Sequence, residues 1–185
     1  VLLSIGLVLM GWGLYIPAKA VVAQVLLERA WMAAGPTGIA PPPWPWADTR
    51  PIARIRTSDN QHNAIVLAGA HGRSLAFGPG HVDGTSLPGG IGHSVVAAHR
   101  DTHFAFLRDV VVGQKIIVER PGGVQRRHVI VDIEIIDVRT ETIMINHDSD
   151  LLTLVTCYPF EDWNPGGPLR YVVHAIAIDD AVNTS

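Results

Sequence analysis

The sequence predicts an all-β domain carried behind an apolar N-terminal segment, and three observations predict it. From Ile52 onward, short apolar and β-branched runs recur at intervals of about 8 to 12 residues, separated by Gly, Pro and Asn or Asp. No helical period is sustained through that region, where Thr102 to Asp109 is the one short helix candidate. Ahead of it, Val1 to Ile16 (VLLSIGLVLMGWGLYI) carries no charge. A length of 185 residues suits one domain with a short appendage and excludes a multidomain enzyme. With 48% hydrophobic and 17% charged residues the chain has the material for a core, so a disordered chain is excluded. Fourteen Lys and Arg against seventeen Asp and Glu give a net charge of −3, and no basic run is longer than Arg126-Arg127. A nucleic-acid backbone is therefore not the expected partner.

Taken in order, the uncharged Val1–Ile16 falls short of the roughly 20 residues that span a bilayer core. A membrane anchor is the leading expectation, ahead of a cleaved signal peptide using Ala18-Lys19-Ala20 and ahead of a buried helix. Helical spacing through Val21, Val22, Val25, Leu26, Arg29 and Trp31 predicts an amphipathic juxtamembrane helix, so residues 1–31 form one unit. Residues 32–51 hold six prolines and read as an extended linker, in which Trp44-Pro45-Trp46 could dock two indoles on the domain. The β domain covers 52–180, with a short tail over 181–185. Its candidate strands are Ile52–Arg56, Ala64–Leu67, Ser94–Ala98, Lys115–Glu119, Gln125–Val138, Thr142–Ile145, Leu151–Cys157 and Tyr171–Ile178. Pro121-Gly122-Gly123 marks a hairpin turn; Gly78-Pro79-Gly80-His81 and Leu87-Pro88-Gly89-Gly90 also read as turns. So many strand edges are disposed of most economically by a closed or partly closed barrel.

The chain contains one cysteine. No internal disulfide or multi-cysteine zinc site can be built, so Cys157 is inert packing, a lone metal ligand or a reagent. It ends the apolar run LLTLVTC and precedes Tyr158-Pro159, where proline stops the ladder, so it sits where a strand gives onto a loop. A thiol needs a base or a cation to become a nucleophile at neutral pH. Among nine histidines, His99 holds an equivalent position, closing SVVAAH before the turn HRDTH. Arg170 opens the last strand, thirteen residues after the cysteine, behind a Pro- and Gly-rich loop. Adjacency of the Cys157 and Arg170 strands would bring both side chains to one rim.

The pieces VVAAHRDTHF, TLVTC and PLRYVVHA, in that order, resemble the sortase motifs, and the resemblance covers Ile52 to Asp179. Together WPWADT, FGPGH, HRDTHFAFL and TCYPF look most like the Gram-negative (proteobacterial) sortases. One departure is Ala98 before His99, where the family usually has glycine. The resemblance implies an eight-stranded barrel with one or two short helices behind a membrane helix. It also implies a thiol-protease-class transpeptidase that needs no cofactor and no metal. Such an enzyme cuts an LPxTG-like C-terminal sorting signal of an exported protein, holds the acyl group as a thioester, and passes it to an amine on peptidoglycan or protein. Cys157 would then be the nucleophile, His99 the general acid and base, and Arg170 the oxyanion donor, with help from a backbone N–H near Tyr158 or Thr156. Thr156, Tyr158, Asp101 and His103 are candidates for support or for the substrate groove. The implied location is the inner membrane, with the domain facing the periplasm.

Other classes are weighed on the same residues. His93, His99 and His103 lack a completing carboxylate for a metal site, and Glu141, Asp148, Ser149 and Asp150 lack calcium-loop spacing and read as a solvated loop. Asp101 either orients His99, pairs with Arg100, or forms a turn. An L,D-transpeptidase would crowd His, Gly and Arg around its cysteine, and a papain-like hydrolase would put the cysteine on a helix ahead of the histidine. A non-catalytic, membrane-tethered β-barrel binding module is the remaining alternative.

Overall fold

The computed structural model describes residues 18–35, 38–146, 148–162 and 166–178. A helix, α1, occupies 18–32. The strands are β1 (Pro51–Thr57), β2 (Asn63–Ala68), β3 (Gly80–His81), β4 (Ser94–Ala97), β5 (Lys115–Glu119), β6 (Gln125–Asp137), β7 (Leu151–Cys157) and β8 (Leu169–Ile178). They close into a barrel in the order β1-β2-β3-β4-β7-β8-β6-β5. Closure leaves no exposed edge, which is how eight short strands coexist without pairing to other chains.

Alternation sets the core. In β1 the pattern PIARIRT buries Ala53, Ile55 and Thr57 and turns Arg54 and Arg56 outward. Val96, Leu152, Leu154, Val173 and Ala175 fill the barrel from β4, β7 and β8, capped by Phe104 and Leu107. Strand β7 is buried along nearly its whole length, and a second apolar cluster on its outer face joins Val95, Ile136, Val155 and Val172. A strand covered on both faces reads as a continuous apolar run, which is what LLTLVTC is.

Two elements escape the sequence reading. Gly80–His81 is a two-residue strand inside a predicted turn; a Cβ on Gly80 would stand 2.5 Å from the Gly69 carbonyl oxygen, so only glycine lets the chain pass this close. A four-residue helix, α2 (Gly72–Leu75), precedes it. Thr142–Ile145, expected as a strand, has no strand pairing. Strand β7 is already flanked by β4 and β8, so no edge is free for it. Instead Ile143 and Ile145 pack on the outer apolar cluster as the chain crosses from the end of β6 to the start of β7. The helix predicted over Thr102–Asp109 is a single 3-10 segment, Ala105–Asp109. The hairpin at Pro121-Gly122-Gly123 forms as expected, with positive φ at both glycines.

Helix α1 lies against β1 and β2. It buries Ala23, Leu27 and Ala30 rather than the valine stripe, and Leu27 meets Ile65 and Leu67. Glu28 pairs with Arg54 at 2.5 Å, and the Arg54 guanidinium lies 5.1 Å from the Trp31 ring centre. Val21, Val22 and Val25 remain exposed. Of the two linker indoles, Trp44 meets Phe77 edge-on at 5.1 Å, whereas Trp46 is 82% exposed. The apolar segment read as a membrane anchor lies outside the described residues, among which no helix is long and apolar enough to cross a membrane.

Beyond the last paired residues of β4 and β7, the Thr156 hydroxyl donates 2.8 Å to the Ala98 carbonyl, and both residues are buried. This bond holds the chain leaving β4 to the end of β7. Thr156→Val keeps the shape but strands a buried carbonyl, so denaturant titration should show a loss of about 1–3 kcal/mol, with Thr156→Ser restoring most of it. Equal stability of all three proteins would refute the clasp.

His128 of β6 is buried between β5 and β8, and its Nδ1 finds no partner among the described residues. Burial, then the Arg126 cation, lowers its pKa to about 4. The unfolded chain, with an ordinary histidine pKa near 6.5, therefore binds this proton more tightly than the folded one. Stability should be unaffected by this group above about pH 6.5 and should fall as pH drops toward 4, by about 2–3 kcal/mol. In His128→Leu that increment of acid sensitivity should vanish; parallel stability curves for the two proteins would contradict it.

Candidate active site

Register brings the three reagents to one end of the barrel. Cys157 lies directly opposite Arg170 in the antiparallel β7–β8 pair. On the other side β4 runs parallel to β7, with Ala97 level with Val155 and the Ala98 N–H donating to the Val155 carbonyl at 3.1 Å. His99, two residues beyond Ala97, therefore leaves β4 level with Cys157. The thiol is partly exposed, the His99 side chain is exposed, and Arg170 is half-buried.

Arg170 is already oriented. Its Nη1 donates to the Gly167 carbonyl at 2.6 Å and the Leu169 carbonyl at 2.8 Å. Those bonds fix a planar guanidinium at the mouth of the β7–β8 loop, while Nε and Nη2 have no partner among the described residues. The Tyr158 N–H, expected as a second oxyanion donor, is spent on the Leu169 carbonyl at 3.0 Å. Of these two groups, the guanidinium is the one that keeps unengaged N–H groups among the described residues.

The supporting candidates divide by role. Thr156 holds the His99 turn through Ala98, as described above. Arg100 Nη2 donates to the Asp162 carbonyl and Arg108 pairs with Glu161 at 3.5 Å, so the His99 excursion is tied to the loop that follows Cys157 at two further points. The Tyr158 ring stacks on Tyr171 at 6.1 Å, and Phe160 meets Tyr171 edge-on at 5.2 Å. The Tyr158 ring thus packs on Tyr171, which with Phe160 lies against the barrel core. Asp101 is exposed and bonds neither His99 nor Arg100 among the described residues, which leaves it a turn residue. His103 is half-buried on the far side of the turn; burial, then the charge of His99, lowers its pKa, so it is neutral at pH 7.

On the outer face of β4 and β7 runs a largely apolar groove of about 480 Å³, with Asp83 and Glu141 also on its lining. Ala97 and Val155 line it, each two residues before a reagent and therefore on the same face as His99 and Cys157. Val82 and Thr85 form one bank, and Ile143 and Ile145 the other. A chain of polar groups, buried at His93 and Thr153, holds the second bank. The Asn146 N–H donates to His93 Nδ1 at 3.1 Å; His93 Nε2, 2.8 Å from Thr153 Oγ1, then carries the ring proton in the neutral form. Thr153 Oγ1 lies 2.9 Å from His174 Nδ1, and His174 Nε2 lies 3.0 Å from Glu134. Asp150, expected in a solvated loop, accepts from the Gly92 N–H at 2.6 Å and pairs with Arg126. The sequence reading missed this anchoring because His93 and Asp150 meet their partners across the sheet. The closest signal was that each immediately precedes a buried strand.

Comparison with known proteins agrees with this architecture. The sortase domain family matches residues 55–178. Sortase D of Bacillus subtilis is 29% identical over 110 residues, which are 59% of this chain and 54% of that protein, so the chain spans about half the length of that relative. The structure of sortase A from Corynebacterium diphtheriae superposes with a TM-score of 0.64 at 26% identity, covering 75% of this chain and 65% of that one. A sortase D5 transpeptidase from Clostridium perfringens shares the fold with a TM-score of 0.67 at 21% identity, covering 85% of this chain and 99% of that one. With its barrel, its strand-end cysteine and two-thirds of its length inside the family match, the chain belongs to the sortase family.

Proposed function

We propose that this protein is a cysteine transpeptidase that cleaves an LPxTG-like C-terminal signal of an exported protein and transfers the acyl part to an amine. The observation that carries the reading is the Cys157–Arg170 register pair beside the His99 turn. The peptide lies in the apolar groove under Ile143 and Ile145 with its scissile carbonyl at the thiol. Cys157 Sγ attacks as thiolate, and the oxygen of the tetrahedral intermediate accepts from the free Arg170 N–H groups. His99 gives its proton to the leaving amine, and the C–N bond breaks to leave a thioester. The incoming amine loses a proton to His99 as it displaces the sulfur. Restricted access of water favours aminolysis over hydrolysis.

Membrane anchoring is part of the same proposal, supported by the uncharged Val1–Ile16 and the proline-rich stem. It puts the domain on the periplasmic side of an inner membrane. The proteobacterial subgroup is supported by WPWADT, FGPGH and TCYPF, although the relatives described above come from Gram-positive organisms. The acceptor is an amine of peptidoglycan or of another protein.

Incubation with LPxTG-like peptides and mass analysis of the protein tests the reaction. The peptide acyl group should appear on Cys157, disappear in Cys157→Ala, and form on the order of 10²-fold more slowly in Arg170→Ala. Cleavage of the peptide by Cys157→Ala would contradict the assignment.

A further inference from the structure

A second cavity opens at the same end of the barrel. The β1–β2 turn reaches this rim because β2 runs parallel to β3, β3 antiparallel to β4, and Leu67, Gly80 and Ala97 stand level. The N-terminal end of β2 therefore points the same way as the His99 end of β4. Between the turn and the His99 excursion lies a cavity of about 230 Å³. Its polar lining is Gln61, His62, Asn63, Thr102 and His103, on a floor that includes Phe104 and Phe106. His62 stacks on Phe106 at 4.8 Å with ring planes 16° apart, which fixes the imidazole at the cavity wall.

Its chemistry differs from that of the groove. Ala97, two residues before His99, lines the apolar groove; Thr102 and His103, three and four residues after it, line the polar cavity. The two openings thus flank the histidine along the chain. No lysine or arginine lines the polar cavity. Arg56, near the same turn, is engaged by Asn60 and Gln125. Asp59 in the turn bonds the Thr57 hydroxyl and accepts from the Gln61 N–H at 3.0 Å, bonds that lower its pKa and keep it ionised. Neutral imidazoles and carboxamide oxygens accept hydrogen bonds, and a nearby carboxylate favours a cation.

We propose that this cavity binds the amine acceptor, a residue-sized primary amine arriving as its ammonium, and delivers it to His99. The inference rests on the transpeptidase reading. The ammonium is held by Gln61 and His62 and loses one proton to solvent. The free amine attacks the thioester carbonyl, a C–N bond forms as the C–S bond breaks, the second amine proton passes to His99, and sulfur is restored on Cys157.

The test measures the ratio of aminolysis to hydrolysis of the Cys157 thioester in the full chain. Nα-acetyl-lysine amide represents a side-chain amine, glycylglycine amide an N-terminal amine, and hydroxylamine a nucleophile too small to need the cavity. His62→Ala and Gln61→Lys should each lower the ratio about tenfold for at least one of the two amines, while the hydroxylamine ratio stays within about twofold. A loss confined to one amine supports the site and identifies the acceptor source. Unchanged ratios for both amines, or an equal loss with hydroxylamine, overturn the proposal. Failure of the wild-type chain to form any thioester overturns the transpeptidase reading itself, and this inference with it.

Discussion

The β7 ladder is the constraint on which the rest depends. On one side β7 runs parallel to β4, on the other antiparallel to β8. That combination brings the C-terminal ends of β4 and β7 and the N-terminal end of β8 to the same rim. Each strand then delivers one of the three candidate residues to it: His99, Cys157 and Arg170. A shift of one residue in the β7–β8 register would turn the arginine to the barrel interior and remove it from the sulfur. The burial of Leu152 and Leu154 inside and Val155 outside opposes such a slip, because it would carry apolar side chains out of both packed faces.

Covering β7 on both faces has a second consequence. The outer face needs something apolar upon it, and the 138–150 connection supplies Ile143 and Ile145. Because no strand edge is free, this segment is held by side chains: His93 through Asn146, and Asp150 through Gly92 and Arg126. It consequently leaves a groove rather than a filled sheet face. A site built this way has a rigid floor from two strands and a bank that depends on a few polar bonds. A polar cavity lined by Gln61, His62, Thr102 and His103 opens at the same rim, so the two openings there differ in chemistry.

Much of this was legible in the residues because strand-end positions leave a mark. LLTLVTC followed by Tyr-Pro, SVVAAH followed by a polar turn, and an arginine behind a glycine-proline loop each announce a strand end at a rim. Two strands, Lys115–Glu119 and Leu151–Cys157, have the bounds that hydrophobic patterning suggests. What patterning could not show was pairing. The two-residue β3 has too little side chain to carry a period, and the apolar Thr142–Ile145 resembles a strand unless closure of the barrel is known. The use of the Tyr158 N–H by Leu169 is likewise a matter of backbone geometry. The face by which helix α1 packs on the domain was not legible in its apolar stripe, because small alanines, not valines, let the helix approach the sheet closely.

The central claim is that the β7–β8 register puts the arginine where the acyl carbonyl of a bound signal would be. A crystal structure of the Cys157→Ala protein with an uncleaved LPxTG-like peptide bound, its scissile carbonyl adjacent to position 157, tests it most directly. The account predicts the peptide in the groove beneath Ile143 and Ile145, with the adjacent carbonyl oxygen within hydrogen-bond distance of the Arg170 guanidinium. A peptide bound elsewhere, or a carbonyl facing solvent while Arg170 bonds only Gly167 and Leu169, would contradict it.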